Sequence, residues 1–296
     1  MSDGLELSAA ARDVRLEGEG VIDVVAEASL RAVVGSARVL EHIVTDPAIP
    51  AEAAAGVTGR PVAAGFRAAV AAVLGDHEDD RSPLRLLLDD LPVASLIAGY
   101  ADLYTRTDAA GGRPQPVGRV KADICAGWAS DATMMRAIRR DGRIPVPLGP
   151  PASTREAGDD PRAWHRLDPV PAGAMRRRRR LDVGLDDGND RVAVDAMFRD
   201  THVDPGGDAT VLHEWSVTAA VDSSTWTVTE CRATPHVLPW TECPSAAAST
   251  ARLVGRPVGA LRRVVGEELR GTSVCTHLND LLRALSDVPH LAALLR

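Results

Sequence analysis

Hydrophobic positions repeat with two different periods in the last third of the chain. Val217, Ala219 and Val221 alternate with small or polar neighbours, the period of a strand with one buried face. Trp226 and Val228 then interleave with Thr225, Thr227 and Thr229. HVLPWTECP follows as a proline-punctuated loop. Beyond it the period lengthens. Val258, Leu261, Val264, Val265 and Leu269 fall on one side of a helix, and Gly271 is placed to end it. A second helix is predicted from Thr276 to Leu285. Strands followed by helices predict an α+β domain.

The pattern occurs twice. Residues 255–285 read GRPVGALRRVVGEELRGTSVCTHLNDLLRAL, and residues 59–91 read GRPVAAGFRAAVAAVLGDHEDDRSPLRLLLDDL. Each has a Gly-Arg-Pro-Val start, an amphipathic helix, a polar break and a Leu-rich helix. Upstream, EWSVTAAVD from Glu214 aligns with EASLRAVVG from Glu27, and TECPSAAA around Cys243 aligns with PAIPAEAAA around Ile49. The expectation is two tandem copies of a small antiparallel-sheet-plus-helices domain, the first degenerate. The copies occupy residues 1–91 and 176–296. Residues 92–175 form a connector: the helix LPVASLIAGYADLYTRT, a loop and helix in VKADICAGWASDATMMRAIRR, and a Pro/Gly-rich linker over 142–173.

Composition narrows the function classes. Hydrophobic residues at 45% and charged residues at 25% are ordinary for a packed globular chain, but aromatics at 3% leave the core to Ala, Val and Leu. A net charge of −7 argues against nucleic acid as a partner. No apolar run approaches the ~20 residues of a membrane span. The start MSDGLELS lacks the apolar core of a signal peptide, so a cytoplasmic protein without a membrane partner is expected. Cys125, Cys231, Cys243 and Cys275 form no dense framework and read as free thiols. No Rossmann or P-loop glycine pattern is present, so no nucleotide cofactor is expected.

The candidate chemistry concentrates in the second copy. Cys275-Thr276-His277-Leu278-Asn279-Asp280 follows Gly271 and opens a helix. A thiol at a helix start faces unpaired N–H groups that favour the thiolate, and Cys-X-His brings two metal-binding side chains together. The bland alternative is a helix cap at Thr276 with Cys275 as a small buried hydrophobe. The corresponding stretch of the first copy, Arg81-Ser82-Pro83-Leu84, has neither Cys nor His. Cys243 stands where the first copy has Ile49, and His213-Glu214 where it has Ala26-Glu27. Phe198-Arg199-Asp200-Thr201-His202 closes an earlier strand. Cys243, Cys275, His277 and His213 would make a zinc or iron site, with His213, Asp200, His202 and Asp280 as catalytic candidates. Strand neighbours point to opposite faces, so only one of His213 and Glu214 faces that site. His213, absent from the first copy, is read as ligand or general base, and Glu214 as a packing partner. The run Arg176 to Arg180 reads as a strand entrance with solvated arginines. Cys125, Trp128, Trp164 and His165 lie in the connector, where they line a pocket between the copies or pack there.

MRRRRRLDV, FRDTH, LHEW, VLPWTECP, LVGRP and CTHLNDLLRAL resemble the bacterial family called domain of unknown function 2889, over about residues 175–290. The resemblance implies no activity. The order strand pair, Cys loop, helix, then Cys and His is also similar to iron–sulphur scaffold proteins, of whose three cysteines only two find counterparts here. The expectation is an enzyme of small-molecule metabolism, lyase or hydrolase in type, with a metal or thiolate site. Its alternatives are a metal or iron–sulphur carrier and a structural pseudo-dimer. A homodimer is left open.

Overall fold

In a computed structural model, the alternating residues of the second copy form strands whose apolar face is buried. The structure describes residues 4–17, 21–35, 37–74, 83–105, 112–114, 120–152, 168–186, 188 and 190–295. Trp164, His165, Arg81 and Ser82 lie outside the described residues. Contacts divide the chain into two units, Met1–Gly99 with Ser153–Asp168, and Tyr100–Ala152 with Pro169–Arg296.

The first unit is an antiparallel sheet of β1 (Leu5–Glu17), β2 (Val21–Val34) and β3 (Leu40–Asp46), in that order. Ala28, Leu30, Ala32 and Val34 alternate along β2 and are buried. They pack in one core with residues of α1 (Ala51–Val57), α2 (Phe66–Leu74) and α3 (Pro83–Thr105), among them Val57, Phe66, Val70, Leu84 and Leu88. The connector helix is not separate, because α3 runs on through Pro92 and the division between units falls inside it.

The second unit begins with the end of α3. β4 (Gly112–Pro114) pairs with β5 (Arg143–Pro145), and α4 (Thr133–Asp141) lies between them in sequence. The main sheet is antiparallel, in the order β6 (Met175–Leu185), β7 (Arg191–Val203), β8 (Ala209–Asp222) and β9 (Thr227–Val237). A 3-10 helix (Cys243–Leu253), α5 (Leu261–Glu268), α6 (Thr276–Ala284) and α7 (Val288–Ala293) follow. Val192, Val194, Ala196 and Phe198 of β7 and Trp215, Val217 and Val221 of β8 meet Leu261, Val264, Leu278 and Leu281 in one buried cluster. No helix among the described residues is long and apolar enough to cross a membrane.

The duplication is visible at the level of single hydrogen bonds. In the first unit Gly59 donates to Leu40 O (2.8 Å), Leu40 to Arg60 O (2.9 Å) and Val62 to Arg38 O (2.7 Å). In the second, Gly255 donates to Val228 O (2.8 Å), Val228 to Arg256 O (2.9 Å) and Val258 to Trp226 O (2.8 Å). The Gly-Arg-Pro-Val segment thus zips onto the same hairpin in both. Even the unusual backbone matches, with φ of 58° at Arg38 and 54° at Trp226, and 78° at Gly59 and 82° at Gly255. Register agrees as well. Arg12 lies opposite Glu27 and Asp13 opposite Ala26, as Arg199 lies opposite Glu214 and Asp200 opposite His213. A register shift follows directly after Asp13 and directly after Asp200. Among the described residues the first sheet has three strands and the second four, and β6 is the strand without a counterpart.

Candidate functional site: a buried Asp–His–His cluster

Three side chains stand in a row across the second sheet. Arg177 of β6 is opposite Asp200 of β7, which is opposite His213 of β8. All belong to the face that carries Phe198 and Trp215, so they look toward the helices. From that side α6 delivers His277 in its first turn. The His213 and His277 rings stack with centroids 4.0 Å apart and planes 22° from parallel. Ligand atoms of Asp200, His213 and His277 all lie within 4.8 Å of one another, and all three residues are buried.

Arg177 holds the carboxylate. Its Nε donates to Asp200 Oδ1 and its Nη2 to Oδ2, both at 2.7 Å. Its Nη1 is 3.5 Å from Asp280 Oδ2 on α6, and its guanidinium carbon lies 4.5 Å over the Phe198 ring. Arg179 reaches the same helix and donates to Asp280 O at 3.1 Å. His213 Nδ1 is 3.7 Å from Asp200 Oδ2, beyond hydrogen-bond length. His213 Nδ1 and His277 Nε2 are buried without a hydrogen-bond partner. Burial drives the His213 ring well below the usual imidazole range, helped by His277 and opposed by Asp200. Burial, then Arg177, pushes His277 down to about 3. Both rings are therefore neutral at ordinary pH, with lone pairs available to a metal or a proton.

Glu214 points the other way. It forms a two-bond ion pair with Arg199, both bonds at 3.0 Å, on the opposite face of the sheet. The solvated-arginine reading of Arg176 to Arg180 needs correction, since the Arg177 side chain is 6% exposed and carries the Asp200 pair. Alternation along β6 turns Arg177 and Arg179 inward.

The cysteines gather beside the cluster without joining it. Cys275 is the N-cap of α6, and its Sγ is 4.0 Å from His277 Nδ1. Cys125 stands before the 3-10 turn Ala126–Trp128, which is tied to the α6 loop by Ala126 N donating to Val274 O at 2.8 Å. Cys243 opens its own 3-10 helix in a loop anchored by Glu242, whose Oε1 accepts from Thr133 N (2.7 Å) and Thr133 Oγ1 (2.6 Å). A Cβ on Gly127 would lie 2.6 Å from Cys243 Sγ, so the thiol fills the space a side chain would need. Among the described residues, the ligand group that converges is Asp200, His213 and His277; Cys243 and Cys275 are not in it. Burial also outweighs the helix start, pushing the Cys275 thiol up to about 12 and raising those of Cys243 and Cys125. Free thiols, not thiolates, flank the cluster.

The end of α3 supplies a wall that sequence reasoning missed. Tyr100 meets the His213 ring edge-on at 5.3 Å, and Tyr104, one turn later, stacks on His202 at 4.0 Å. These are the chain's two tyrosines. The Tyr104 hydroxyl donates to Pro147 O. His202 is buried with neither ring nitrogen hydrogen-bonded, and it stays outside the ligand group. Arg177 was missed too. Extending the repeat upstream, Arg12-Asp13 onto Arg199-Asp200, would have fixed the phase of β7 and pointed across the sheet to it.

Residues 175–290 match the family model described as Protein of unknown function (DUF2889), the family that MRRRRRLDV, FRDTH and CTHLNDLLRAL resemble. No curated protein and no solved structure matches the chain.

Proposed function

We propose that the second unit is a metal-dependent enzyme of small-molecule metabolism, of lyase or hydrolase type, holding a zinc or ferrous ion on Asp200, His213 and His277. One observation carries the reading: two neutral imidazoles and a carboxylate converge in a buried place, with His213 Nδ1 and His277 Nε2 lacking any hydrogen-bond partner. Orphaned buried nitrogens cost free energy unless a partner arrives, and a divalent cation satisfies both at once. Two histidines and one carboxylate suit zinc or iron and leave coordination positions for water or substrate. Such an ion would supply Lewis acidity. The protein's own contribution is to hold the rings neutral, fix the carboxylate and line the site with thiols and Tyr100. Cys243 and Cys275 become lining rather than ligands in this reading, and Asp280 acts through Arg177.

The test is metal analysis of protein purified without chelators, followed by Co(II) titration of the metal-free form. Wild-type protein is expected to bind metal stoichiometrically. His213→Ala and His277→Ala are expected to lose it with unchanged circular dichroism. Wild-type protein that takes up neither native metal nor Co(II) refutes the reading. Loss of metal on Cys243→Ala and Cys275→Ala, but not on the histidine variants, would return the site to the cysteines.

A further inference from the structure

We propose that Arg177 is the positioning residue of this site, fixing the Asp200 carboxylate toward the histidines and tying the strand that carries it to the helix that carries His277. The inference rests on reading Asp200, His213 and His277 as one functional set, and it names the residue that sets their geometry.

A buried aspartate can rotate about its last bond, and its two oxygens then trade places. A planar guanidinium that engages both oxygens removes that freedom, which a single ammonium cannot do. Arg177 makes this fork with both bonds at 2.7 Å. The guanidinium is itself fixed, by the Phe198 ring 4.5 Å beneath it and by Asp280 at 3.5 Å on α6. Arg179, two residues along the same face, adds a bond to Asp280 O. Strand β6, strand β7 and helix α6 thus meet at one cation. Asp200 Oδ2 is then the oxygen turned to His213, 3.7 Å from its Nδ1. The first unit keeps Asp13 at the Asp200 position, and among the described residues its sheet has no strand equivalent to β6. Asp13 accordingly faces Ala26, a residue with nothing to orient.

The experiment compares wild type, Arg177→Lys, Arg177→Gln and Asp280→Asn in the full chain. Two signals are read: Co(II) affinity with its visible spectrum, and the ring ¹⁵N shifts of His213 in metal-free protein at fixed pH. Arg177→Lys keeps the charge and loses the fork. It is expected to weaken Co(II) binding roughly 10- to 100-fold, alter the visible bands and move the His213 ring signals. Asp280→Asn is expected to do the same to a smaller degree. Lysine that restores wild-type affinity, spectrum and ring signals overturns the proposal. If Arg177→Gln and Arg177→Lys both fail to fold, Asp280→Asn decides, and unmoved His213 signals in it overturn the proposal. Wild-type protein that binds no Co(II) sinks the metal reading alone, and the ring signals still judge Arg177.

Discussion

Asp13 and Asp200 occupy the same place in two copies of one skeleton, each just before a register shift and each opposite a strand position that differs between the copies. In the first unit that position is Ala26; in the second it is His213. Around Asp200 the second unit adds a strand with Arg177, a helix start with His277, and three buried thiols. The first unit has Ile49 and Pro83 where the sequence alignment places Cys243 and His277. The skeleton therefore does not require histidine or cysteine at these positions, because the first unit builds it with Ala26, Ile49 and Pro83 there. What the second unit adds carries a cost in stability, since buried polar groups are tolerated only when paired. A cost borne by one of two equal skeletons is a reason to look there for chemistry.

The sharpest way to break the comparison is to remove the shared aspartate from each copy. Asp200→Ala takes the two-bonded carboxylate from the buried Arg177 guanidinium and leaves it the longer 3.5 Å contact to Asp280, and breaking a buried pair costs about 3–5 kcal/mol. Asp13→Ala, in a half-buried position, is expected to cost about 1 kcal/mol or less. Hydrogen exchange of the β7–β8 amides against the β1–β2 amides reads each unit separately. Equal losses would mean that the two aspartates have the same structural task and that the second is not special.

Acid should separate the units next. His213 and His277 have folded pKa values below that of an unfolded imidazole, about 6.5. The unfolded chain therefore takes up protons first as pH falls. Stability of the metal-free second unit is full above about pH 6.5 and declines below it, by about 1.4 kcal/mol per pH unit for each histidine. For His277 the decline ends near its folded value of about 3. The first unit, with Ala26 and Pro83 at the aligned positions, has neither contribution. Tryptophan fluorescence in a Trp164→Phe background reports the second unit, which holds Trp128, Trp215, Trp226 and Trp240. A urea midpoint flat between pH 7 and pH 4.5 would contradict the buried, neutral rings. His213→Ala should flatten part of the slope.

The same two units show what the sequence could and could not reveal. Strand and helix periods, the Gly-Arg-Pro-Val repeat and the difference at Ala26 and His213 were all legible, because each is a local pattern or a local contrast. Arg177 was not. Five identical residues in a row carry no alternation, so nothing in Arg176 to Arg180 says which arginines turn inward. The phase comes from the cross-strand partner, Asp200, 23 residues away. Tyr100 and Tyr104 were equally hidden, since their spacing marks a helix face but not what that face meets. The Cys-X-His spacing misled for a related reason. Cys275 precedes the helix and His277 lies inside its first turn, so the ring reaches the sheet and stacks on His213 while the thiol stays behind it, 4.0 Å from His277 Nδ1.

The smallest expected effect tests the half of the comparison that should not differ. Gly59 and Gly255 adopt φ of 78° and 82° and donate the equivalent hydrogen bond to Leu40 O and Val228 O. A Cβ at either position would meet nothing within 4 Å. The cost of Gly59→Ala or Gly255→Ala is therefore purely conformational, about 1–2 kcal/mol for a left-handed backbone carrying a side chain. Because no contact is gained or lost, the two values should agree within about 0.5 kcal/mol, a typical margin for independent sites. Hydrogen exchange in each unit measures them side by side. Agreement would show that the turn which zips Gly-Arg-Pro-Val onto its hairpin has one energetic role in both copies, independent of the cluster. A much larger loss at Gly255, with Co(II) binding lost alongside, would mean that this turn also supports the Asp200, His213 and His277 site, and that the skeletons are not equal.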